Sequence, residues 1–444
     1  MKATSRPVAR LDGALRAPGD KSCSHRALMF AGLAEGVSLI DGLLEGEDVL
    51  NTAAAMGACG AQVERLALRR WRVEGVGEKG LSNPDQTLDM GNSGTGARLL
   101  MGLLAGQNLK ATFDGDESLR SRPMNRVLDP LREMGAQSDS SEGRLPLTLE
   151  GASLKAISYT PPHASAQVKS CVLLAGLGAQ GMTVIEEPKR TRDHTERMLR
   201  AFGADVTEES IQGGRGSRIS LVGGQKLTAT NIDIPGDPSS AAFLWAAALL
   251  CDAGHVDVLN VMENDTRNGL VRAVQAMGAD LVSVPTGESG GEAIVTLRAR
   301  PSKLHAKSPE PDMTPAMIDE FPLFAVLAAF AEGDTLVTGA AELRVKESDR
   351  IAATVALLRA NGVEAEERPD GFLVKGCGPG GVPGGGLVEA RHDHRIAMSA
   401  LVMGCASQKP VSVDDVSAIA TSYPEFFAHM QALGADIEQE ATAL

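Results

Sequence analysis

Residues 199–206 read LRAFGADV, which is a helix-like stretch, a glycine, a small residue and the start of a strand-like run. A glycine in this place is typical of a helix that ends in a left-handed residue. The phrase occurs six times, and successive glycines are separated by 75, 68, 75, 84 and 72 residues. Repetition at a near-constant period predicts one supersecondary unit built six times. The copies are GACGAQVE at Gly60, LREMGAQ at Gly135, LRAFGADV at Gly203, VQAMGADL at Gly278, LRANGVEA at Gly362 and MQALGADI at Gly434.

A second element alternates with these phrases, namely a polar or glycine-rich lead followed by an almost wholly apolar run. A helix that is apolar on all sides is a buried helix. Each repeat is therefore predicted to hold one buried central helix, one amphipathic helix and several short strands, as a βαβαββ unit. The six stretches are KSCSHRALMFAGLAEG from Lys21, GNSGTGARLLMGLLAG from Gly91, SAQVKSCVLLAGLGAQG from Ser165, DPSSAAFLWAAALLCDAG from Asp237, IDEFPLFAVLAAFAEG from Ile318 and HDHRIAMSALVMGCAS from His392.

The two halves of the chain also match. Residues 18–22 read PGDKS, and residues 235–239 read PGDPS, 217 positions later. Three repeats follow each copy, which predicts an α/β protein of two similar lobes. One lobe is expected to comprise residues 1–18 plus 237–444, and the other residues 19–236. We expect the N-terminal strand to pair into the first of these lobes and complete the sixth repeat.

The composition narrows the classes of function. Lys and Arg number 43 against 57 Asp and Glu, a net charge of −14, and aromatic residues make up 3%. Nucleic-acid binders carry basic surfaces or aromatic stacking platforms, so neither nucleic acid nor an anionic membrane is an expected partner. The longest apolar runs, 241–251 and 321–331, have eleven residues each, whereas a membrane span needs about 20.

The cysteines and the N-terminus indicate the compartment. The six cysteines are far apart and form no CxxC pair, and residues 1–13 contain no apolar stretch of the kind found in signal peptides. Reduced thiols in a cytoplasmic protein are the expected result. No cluster of His and Cys has metal-ligand spacing, so we expect no metal.

Cationic residues occupy the polar leads of several predicted helices. Helix N-termini attract anions because their first N–H groups lack partners. Ordinary capping accounts for Ser, Thr and Asp at such places, but not for cations beside apolar runs, where an unpaired charge is costly to bury. The sequence therefore predicts an anion-binding site that includes Lys21, Arg26, Arg122, Lys346, Arg350 and Arg395.

The segments PGDKSxSHR, GNSGTGxR, SRPM, SAQVKS, TRDHTE, ELRVKESDR and HDHRIAMS, in this order, resemble the 5-enolpyruvylshikimate-3-phosphate synthases, most closely the bacterial class II branch. The resemblance extends from about Leu15 to Phe427. It implies an active site in the cleft between the two lobes. It also implies transfer of the enolpyruvyl group from phosphoenolpyruvate to the 5-hydroxyl of shikimate 3-phosphate, with release of phosphate, on the shikimate pathway to chorismate and the aromatic amino acids. It implies no cofactor, and we expect a monomer.

The resemblance also assigns roles to individual residues. Asp319 would be the base at the 5-hydroxyl, and Glu347 and Lys21 would handle the C3 proton and the leaving phosphate. The residues implied for shikimate 3-phosphate are Lys21, Ser22, Arg26, Ser165, Ala166, Gln167, Arg192, Asp319 and Lys346. Those implied for phosphoenolpyruvate are Lys21, Asn92, Gly94, Arg122, Gln167, Glu347, Arg350 and Arg395.

The chain departs from many relatives at two places. Ala166 replaces a serine, which removes one hydroxyl donor to the substrate phosphate, and Thr421 replaces a lysine near phosphoenolpyruvate. The family is also the target of the herbicide glyphosate, which occupies the place of phosphoenolpyruvate but is somewhat longer. Gly94 leaves room for it, so we expect the inhibitor to act on this chain.

Two alternatives remain at this stage. The sister enolpyruvyl transferase acting on UDP-N-acetylglucosamine shares the six-unit architecture, but it uses a loop cysteine near the position of Arg122, and this chain has no cysteine between Cys59 and Cys171. A non-enzymatic six-unit ring or DNA clamp would need exposed basic helix faces, whereas the central helices here are apolar all round.

Overall fold

Each of the six repeat glycines ends a helix with a left-handed backbone, as the sequence predicts. In the computed structural model, which describes residues 1–440, their φ angles lie between 78° and 115°. The small residue after each glycine donates its N–H to the carbonyl five residues back, for example Ala204 to Leu199 at 2.9 Å and Ala435 to Met430 at 3.0 Å. These bonds satisfy carbonyls that the helix end would otherwise leave without a donor.

The described residues form fourteen α-helices. They are α1 (Lys21–Leu33), α2 (Glu47–Ala58), α3 (Gly94–Ala105), α4 (Glu117–Ser121), α5 (Asn125–Met134), α6 (Ala166–Leu177), α7 (His194–Ala201), α8 (Pro238–Leu250), α9 (Gly269–Ala276), α10 (Thr314–Met317), α11 (Phe321–Ala329), α12 (Arg350–Ala360), α13 (His394–Ala406) and α14 (Phe426–Ala432). Short 3₁₀ turns lie at Gly77–Lys79, Gln212–Gly214, Pro311–Met313, Ala341–Val345 and Ser417–Thr421.

The same residues form 23 strands. They are β1 (Lys2–Arg6), β2 (Gly13–Arg16), β3 (Val37–Asp41), β4 (Gln62–Ala67), β5 (Arg70–Glu74), β6 (Leu88–Asp89), β7 (Lys110–Asp114), β8 (Gln137–Ser140), β9 (Leu147–Glu150), β10 (Ser158–Tyr159), β11 (Met182–Glu187), β12 (Val206–Ile211), β13 (Gly216–Val222), β14 (Ile232–Asp233), β15 (Val256–Glu263), β16 (Asp280–Ser289), β17 (Glu292–Arg300), β18 (Glu332–Val337), β19 (Ala365–Arg368), β20 (Gly371–Cys377), β21 (Leu387–Val388), β22 (Val411–Val413) and β23 (Asp436–Glu440).

The apolar runs form the buried central helices of the repeats. Helices α1, α3, α6, α8, α11 and α13 bury nearly every residue beyond their first turn, and α11 is buried along its whole length. Helices α3 and α6 approach so closely that a β-carbon on Gly102 would lie 2.3 Å from the carbonyl oxygen of Cys171. Glycine at this position therefore lets the two backbones touch.

The strands form six small sheets, one for each repeat. Each four-stranded sheet has a short parallel edge strand followed by three longer strands, as in β6-β7-β9-β8 and β10-β11-β13-β12. The other four-stranded sheets are β14-β3-β5-β4, β2-β15-β17-β16 and β21-β22-β1-β23. The fifth sheet, β18-β20-β19, has three strands, and its parallel partner is a single bridge from His305 to Glu332.

The N-terminal strand completes the sixth repeat, as predicted. β1 lies between β22 and β23 and pairs antiparallel with both. Two edge strands are exchanged between repeats, and the sequence predicts their lobes but not their partner strands. β2 precedes α1 along the chain but pairs with β15, and β14 precedes α8 but pairs with β3.

The chain divides into two compact units. Unit 1 comprises residues 1–18, 236–287 and 293–444, and unit 2 comprises residues 19–235 and 288–292. Within unit 1 the Asp237 N–H donates to Pro18 O at 2.8 Å, and within unit 2 the Asp20 N–H donates to Pro235 O at 2.7 Å. The short segment 288–292, at the turn between β16 and β17, belongs to unit 2. No helix in residues 1–440 combines the length and apolar composition that a bilayer span requires.

Candidate active site

Three central helices of unit 2 begin with side chains that cap them. Asp20 accepts from Cys23 N at 2.8 Å at the start of α1, and Ser93 accepts from Gly96 N at 3.0 Å at the start of α3. Ser165 accepts from Val168 N at 3.4 Å at the start of α6. Capping thus accounts for these two serines. It does not account for the cations at the same helix ends.

Lys21 and Arg26 both lie on α1, but their surroundings differ. Lys21 is one-third exposed and forms an ion pair with Asp48, which lies in the first turn of α2. Asp48 was not singled out from the sequence, because its partner is 27 residues away. Lys21 therefore has both an accessible ammonium group and a carboxylate that fixes it.

Arg26 is buried and donates to three neutral oxygens. Nε reaches Thr195 Oγ1 at 2.7 Å, Nη2 reaches Ser170 Oγ at 2.9 Å, and Nη1 reaches Ser22 O at 2.9 Å. Burial lowers the pKa of Arg26 below that of a free guanidinium. A buried cation whose hydrogen bonds go to neutral groups favours an anion nearby.

Asn92, Gly94 and Arg122 lie together at the start of α3. Arg122 donates through Nη2 to Asn92 Oδ1 at 2.6 Å and to Ser118 Oγ at 3.0 Å. A β-carbon on Gly94 would lie 3.0 Å from Nη1 of Arg98 and 3.3 Å from Nη1 of Arg122. The position where a β-carbon on Gly94 would lie therefore faces the guanidinium groups of Arg98 and Arg122.

Arg98 is a site residue that the sequence analysis did not assign. Its Nη1 donates to Gln167 Oε1 at 2.7 Å, and Gln167 Nε2 donates to Thr95 Oγ1 at 2.9 Å. Burial, together with the nearby charges of Arg126 and Arg122, lowers the pKa of Arg98 to about 10. The available signal was a lone arginine inside an apolar helix, in the segment GNSGTGAR.

The remaining predicted residues of unit 2 lie at helix starts or just before them. Ser22 is in the first turn of α1, and Ala166 is the first residue of α6. Arg192 is half-buried in the irregular segment between β11 and α7. Unit 2 thus collects helix N-termini and cations, which is the arrangement that binds phosphate and carboxylate groups.

The predicted residues of unit 1 surround Arg350. This guanidinium is 1% exposed and lies against three carboxylates: Glu347 at 2.6 Å, Asp393 at 2.8 Å and Asp319 at 3.3 Å. Burial opposes the charge, but these carboxylates outweigh it and raise the pKa of Arg350.

Asp319 contacts the other two cations that the sequence predicts for the site in unit 1. Lys346 Nζ lies 3.5 Å from Asp319 Oδ1, and Arg395 Nη1 donates to the Asp319 carbonyl at 3.1 Å. Arg395 also lies 3.5 Å from Glu320, which precedes α11. The three cations and four carboxylates of this unit-1 set form one charged network.

Glu347 is 44% exposed and can reach a ligand. Burial acts to raise the pKa of Glu347, but the positive charge of Arg350 outweighs it and shifts the pKa below the ordinary glutamate value. Glu347 is therefore ionised near pH 7.

Asp393 and His394, at the start of α13, were quoted in a motif but given no role. Asp393 caps the helix by accepting from Arg395 N at 3.0 Å and also accepts from Ser348 Oγ at 2.9 Å. Burial, reinforced by Arg395, lowers the pKa of His394 to about 3, so the imidazole is neutral. Thr421 ends a 3₁₀ turn, and its hydroxyl donates to Ala418 O at 2.8 Å. Because threonine carries no charge, this position does not supply the cation that a lysine would.

One group among residues 1–440 has the composition of a metal site. Ligand atoms of Cys23, His194 and Glu292 lie within 4.8 Å of one another, all buried. His194 Nδ1 and Glu292 Oε1 are already hydrogen-bonded at 2.7 Å, and Arg197 lies 3.6 Å from the same carboxylate. The hydrogen bond and the nearby guanidinium favour an internal ion-pair network over a bound cation at this place.

Comparison with known proteins gives a consistent result. The family model for EPSP synthase (3-phosphoshikimate 1-carboxyvinyltransferase) matches residues 5–430. A 3-phosphoshikimate 1-carboxyvinyltransferase from Hyphomonas neptunium is 62% identical over 98% of this chain and 99% of its own length. One from Maricaulis maris is 50% identical over 98% of this chain and 96% of its own length. A solved EPSP synthase structure from Acinetobacter baumannii superposes with a TM-score of 0.91 at 42% identity, covering 99% of this chain and all of that one.

Proposed function

The chain belongs to the EPSP synthase (3-phosphoshikimate 1-carboxyvinyltransferase) family, and we propose from this premise that it transfers the enolpyruvyl group of phosphoenolpyruvate to the 5-hydroxyl of shikimate 3-phosphate. The reaction releases phosphate and belongs to the shikimate pathway, which leads to chorismate and the aromatic amino acids. The α/β fold of six βαβαββ repeats agrees with this assignment.

One observation supports the proposal most strongly: the two units hold different chemistry. In unit 2 the buried or half-buried cations Arg26, Arg98 and Arg122 donate to neutral oxygens. In unit 1 Arg350 lies among three carboxylates. The reaction needs both kinds of set, because its substrates carry two phosphates and two carboxylates and its steps move protons.

We assign the unit-2 set to substrate binding. Gln167, fixed by Arg98 and Thr95, and Arg122, fixed by Asn92, would hold phosphoenolpyruvate beside Gly94. Ser22 and Arg26 would bind the shikimate carboxylate. The substrate phosphate would be bound by the start of α6 and by Arg192. The residues concerned at the start of α6 are Ser165, Ala166 and Gln167, where backbone N–H groups can replace the hydroxyl that Ala166 lacks.

We assign proton transfer to the unit-1 carboxylates and Lys21. The 5-hydroxyl attacks C2 of phosphoenolpyruvate and passes its proton to Asp319, which lies beside Lys346 and Arg350. C3 gains a proton from the Lys21 ammonium group as C2 becomes tetrahedral. The C–O bond to phosphate then breaks, and C3 returns a proton to Glu347. Lys21, Arg350 and Arg395 would neutralise the charge on the phosphate and the carboxylate of phosphoenolpyruvate.

The same proposal includes the surroundings of the enzyme. We propose that it works as a monomer in the cytoplasm on small-molecule substrates, without nucleic acid or membrane. The acidic net charge of −14 supports the absence of a nucleic-acid partner. UDP-N-acetylglucosamine is a disfavoured acceptor, because the relatives are named for phosphoshikimate and no cysteine lies between Cys59 and Cys171.

The test is a phosphate-release assay with phosphoenolpyruvate and shikimate 3-phosphate. We expect one phosphate released for each enolpyruvyl ether formed, and no release when shikimate 3-phosphate is omitted. Release that depends instead on UDP-N-acetylglucosamine would contradict the proposal.

A further inference from the structure

Lys169 is a buried cation that the proposed reaction does not use. It lies in the second turn of α6 and is 1% exposed. Its Nζ lies 2.8 Å from Glu187 Oε2 and 2.8 Å from Glu196 Oε1, and both carboxylates are also buried. Burying an ionised group costs several kcal/mol unless the surrounding geometry compensates. A purely structural position would be filled more cheaply by an apolar side chain, so the triad calls for a further role.

Lys169 and Glu187 form hydrogen bonds with the backbone of Thr191. Lys169 Nζ donates to Thr191 O at 3.4 Å, while Glu187 accepts from Thr191 N at 3.5 Å and from its hydroxyl. Both backbone polar groups of one residue are therefore held by the Lys169–Glu187 pair. Residues 188–193 form no helix or strand, so their course depends on such side-chain contacts.

The residue after Thr191 is Arg192. A shift of the peptide at Thr191 moves the Cα of Arg192, and with it the origin of the guanidinium. Lys169 is also only two residues beyond Gln167 on α6. One buried ammonium thus connects two elements that carry proposed ligands of shikimate 3-phosphate: the start of α6 and the segment before α7.

A neighbouring network reinforces this connection. Thr195 donates to Ser170 Oγ at 2.7 Å, and Arg26 donates to both hydroxyls. Ser170 follows Lys169 on α6, and Thr195 precedes Glu196 on α7. Burial raises the pKa of Glu196 although Lys169 acts to lower it, and the positive charge of Arg26 acts on Glu196 across this network.

We propose that Lys169 is a positioning residue which, together with Glu187, fixes Arg192 through the backbone of Thr191 and so sets the affinity for the phosphate of the acceptor substrate. This inference rests on the proposed function. It distinguishes Lys169 from an ordinary buried ion pair, whose loss would lower stability without selecting among substrates.

The experiment compares Lys169→Met with Lys169→Met/Glu196→Gln. The double variant removes the ammonium group together with the carboxyl group of its partner, so it remains informative if the single variant does not fold. We expect the KM for shikimate 3-phosphate to rise about tenfold, the scale of one weakened charge-assisted hydrogen bond. We expect kcat and the KM for phosphoenolpyruvate to stay within about threefold.

The decisive comparison repeats the substitution in an Arg192→Gln background. If Lys169 acts through Arg192, its replacement raises the KM for shikimate 3-phosphate there by less than about twofold. An equal factor in both backgrounds would overturn the proposal. Arg298→Met, which removes the 2.8 Å ion pair with Asp257 in unit 1, is the stability control and should leave this KM unchanged. Failure of the wild-type protein to release phosphate would refute the proposed function itself, before any variants are compared.

Discussion

Arg350 and Asp393 meet through two hydrogen bonds, Nε to Oδ2 at 2.8 Å and Nη2 to Oδ1 at 3.3 Å, and both side chains are almost wholly buried. Arg350 begins α12 and Asp393 caps α13. The pair therefore joins the starts of two helices at the place where Glu347 and Arg395 emerge. It gives the unit-1 set a rigid base.

The pair should make stability depend on pH. Burial acts to raise the pKa of Asp393, but Arg350 outweighs it and the pKa lies below its ordinary value. The stabilisation is therefore present above the unfolded-state pKa of about 4 and is lost as pH falls through the folded-state pKa. We expect Asp393→Asn to lower the free energy of unfolding at pH 7 by about 3 kcal/mol and to flatten its decline at acid pH.

Urea unfolding at a series of pH values measures both effects. Asp436→Asn serves as the control, because its contact with Arg6 is 3.4 Å long and half-exposed, and such pairs contribute at most about 1 kcal/mol. If Asp393→Asn loses stability on acidification as steeply as the wild type, Asp393 is not the group that titrates.

The exposed carboxylate of Glu347 and the partly buried one of Asp319 should govern turnover. Glu347→Gln and Asp319→Asn keep side-chain size but remove the acid or base, so we expect kcat to fall by about 100-fold or more. Steady-state phosphate release measures this fall. Glu342→Gln is a matched control in the same segment, since Glu342 lies 3.5 Å from Lys346 and is 68% exposed. Near-normal kcat in either active-site variant would remove that residue from the mechanism.

Arg98 should act on phosphoenolpyruvate through Gln167. Arg98→Met removes the 2.7 Å bond that orients the Gln167 amide, so we expect the KM for phosphoenolpyruvate to rise by about 10- to 100-fold, the cost of losing a hydrogen bond from a charged group. Arg126→Gln removes a nearby exposed charge and should change the same KM by less than about threefold. Equal effects of the two substitutions would show that only the overall charge matters.

The repeats could be predicted from the sequence because their signals are local. A glycine after an amphipathic helix favours a positive φ for local reasons, and all six do adopt one. The partners of the strands are not local. The predicted lobe bounds put β2 with residues 237–444 and β14 with residues 19–236, but nothing in these two short strands indicates that their partners are β15 and β3.

The same distinction between local signals and distant partners applies to the residues of the site. Cations at helix starts are visible in a sequence, but what they contact is not. The echo of PGDKS at residues 235–239 is an example. Pro238 takes the place of Lys21, and Arg267, 28 residues beyond Ser239, donates to Asp237 at 2.8 Å and Ser239 at 3.1 Å. In the second copy of the motif, a buried arginine from a distant segment of the chain therefore contacts the aspartate and the serine. Only the tertiary structure reveals this contact.

Gly94 should decide the response to glyphosate. Its φ is not in the left-handed region, so alanine fits the backbone, and the added methyl would meet Nη1 of Arg98 at 3.0 Å and Nη1 of Arg122 at 3.3 Å. Both guanidiniums must yield by a few tenths of an ångström. Under the family resemblance, the inhibitor is longer than phosphoenolpyruvate and reaches further toward this methyl. We therefore expect the wild type to be inhibited, and Gly94→Ala to raise the inhibition constant more than the KM for phosphoenolpyruvate. Gly57→Ala, where an added β-carbon has no neighbour within 4 Å, is the matched control and should leave both constants unchanged. Inhibition curves at equal substrate saturation test the prediction, and a wild type that resists millimolar glyphosate, or a variant in which both constants rise by the same factor, would refute it.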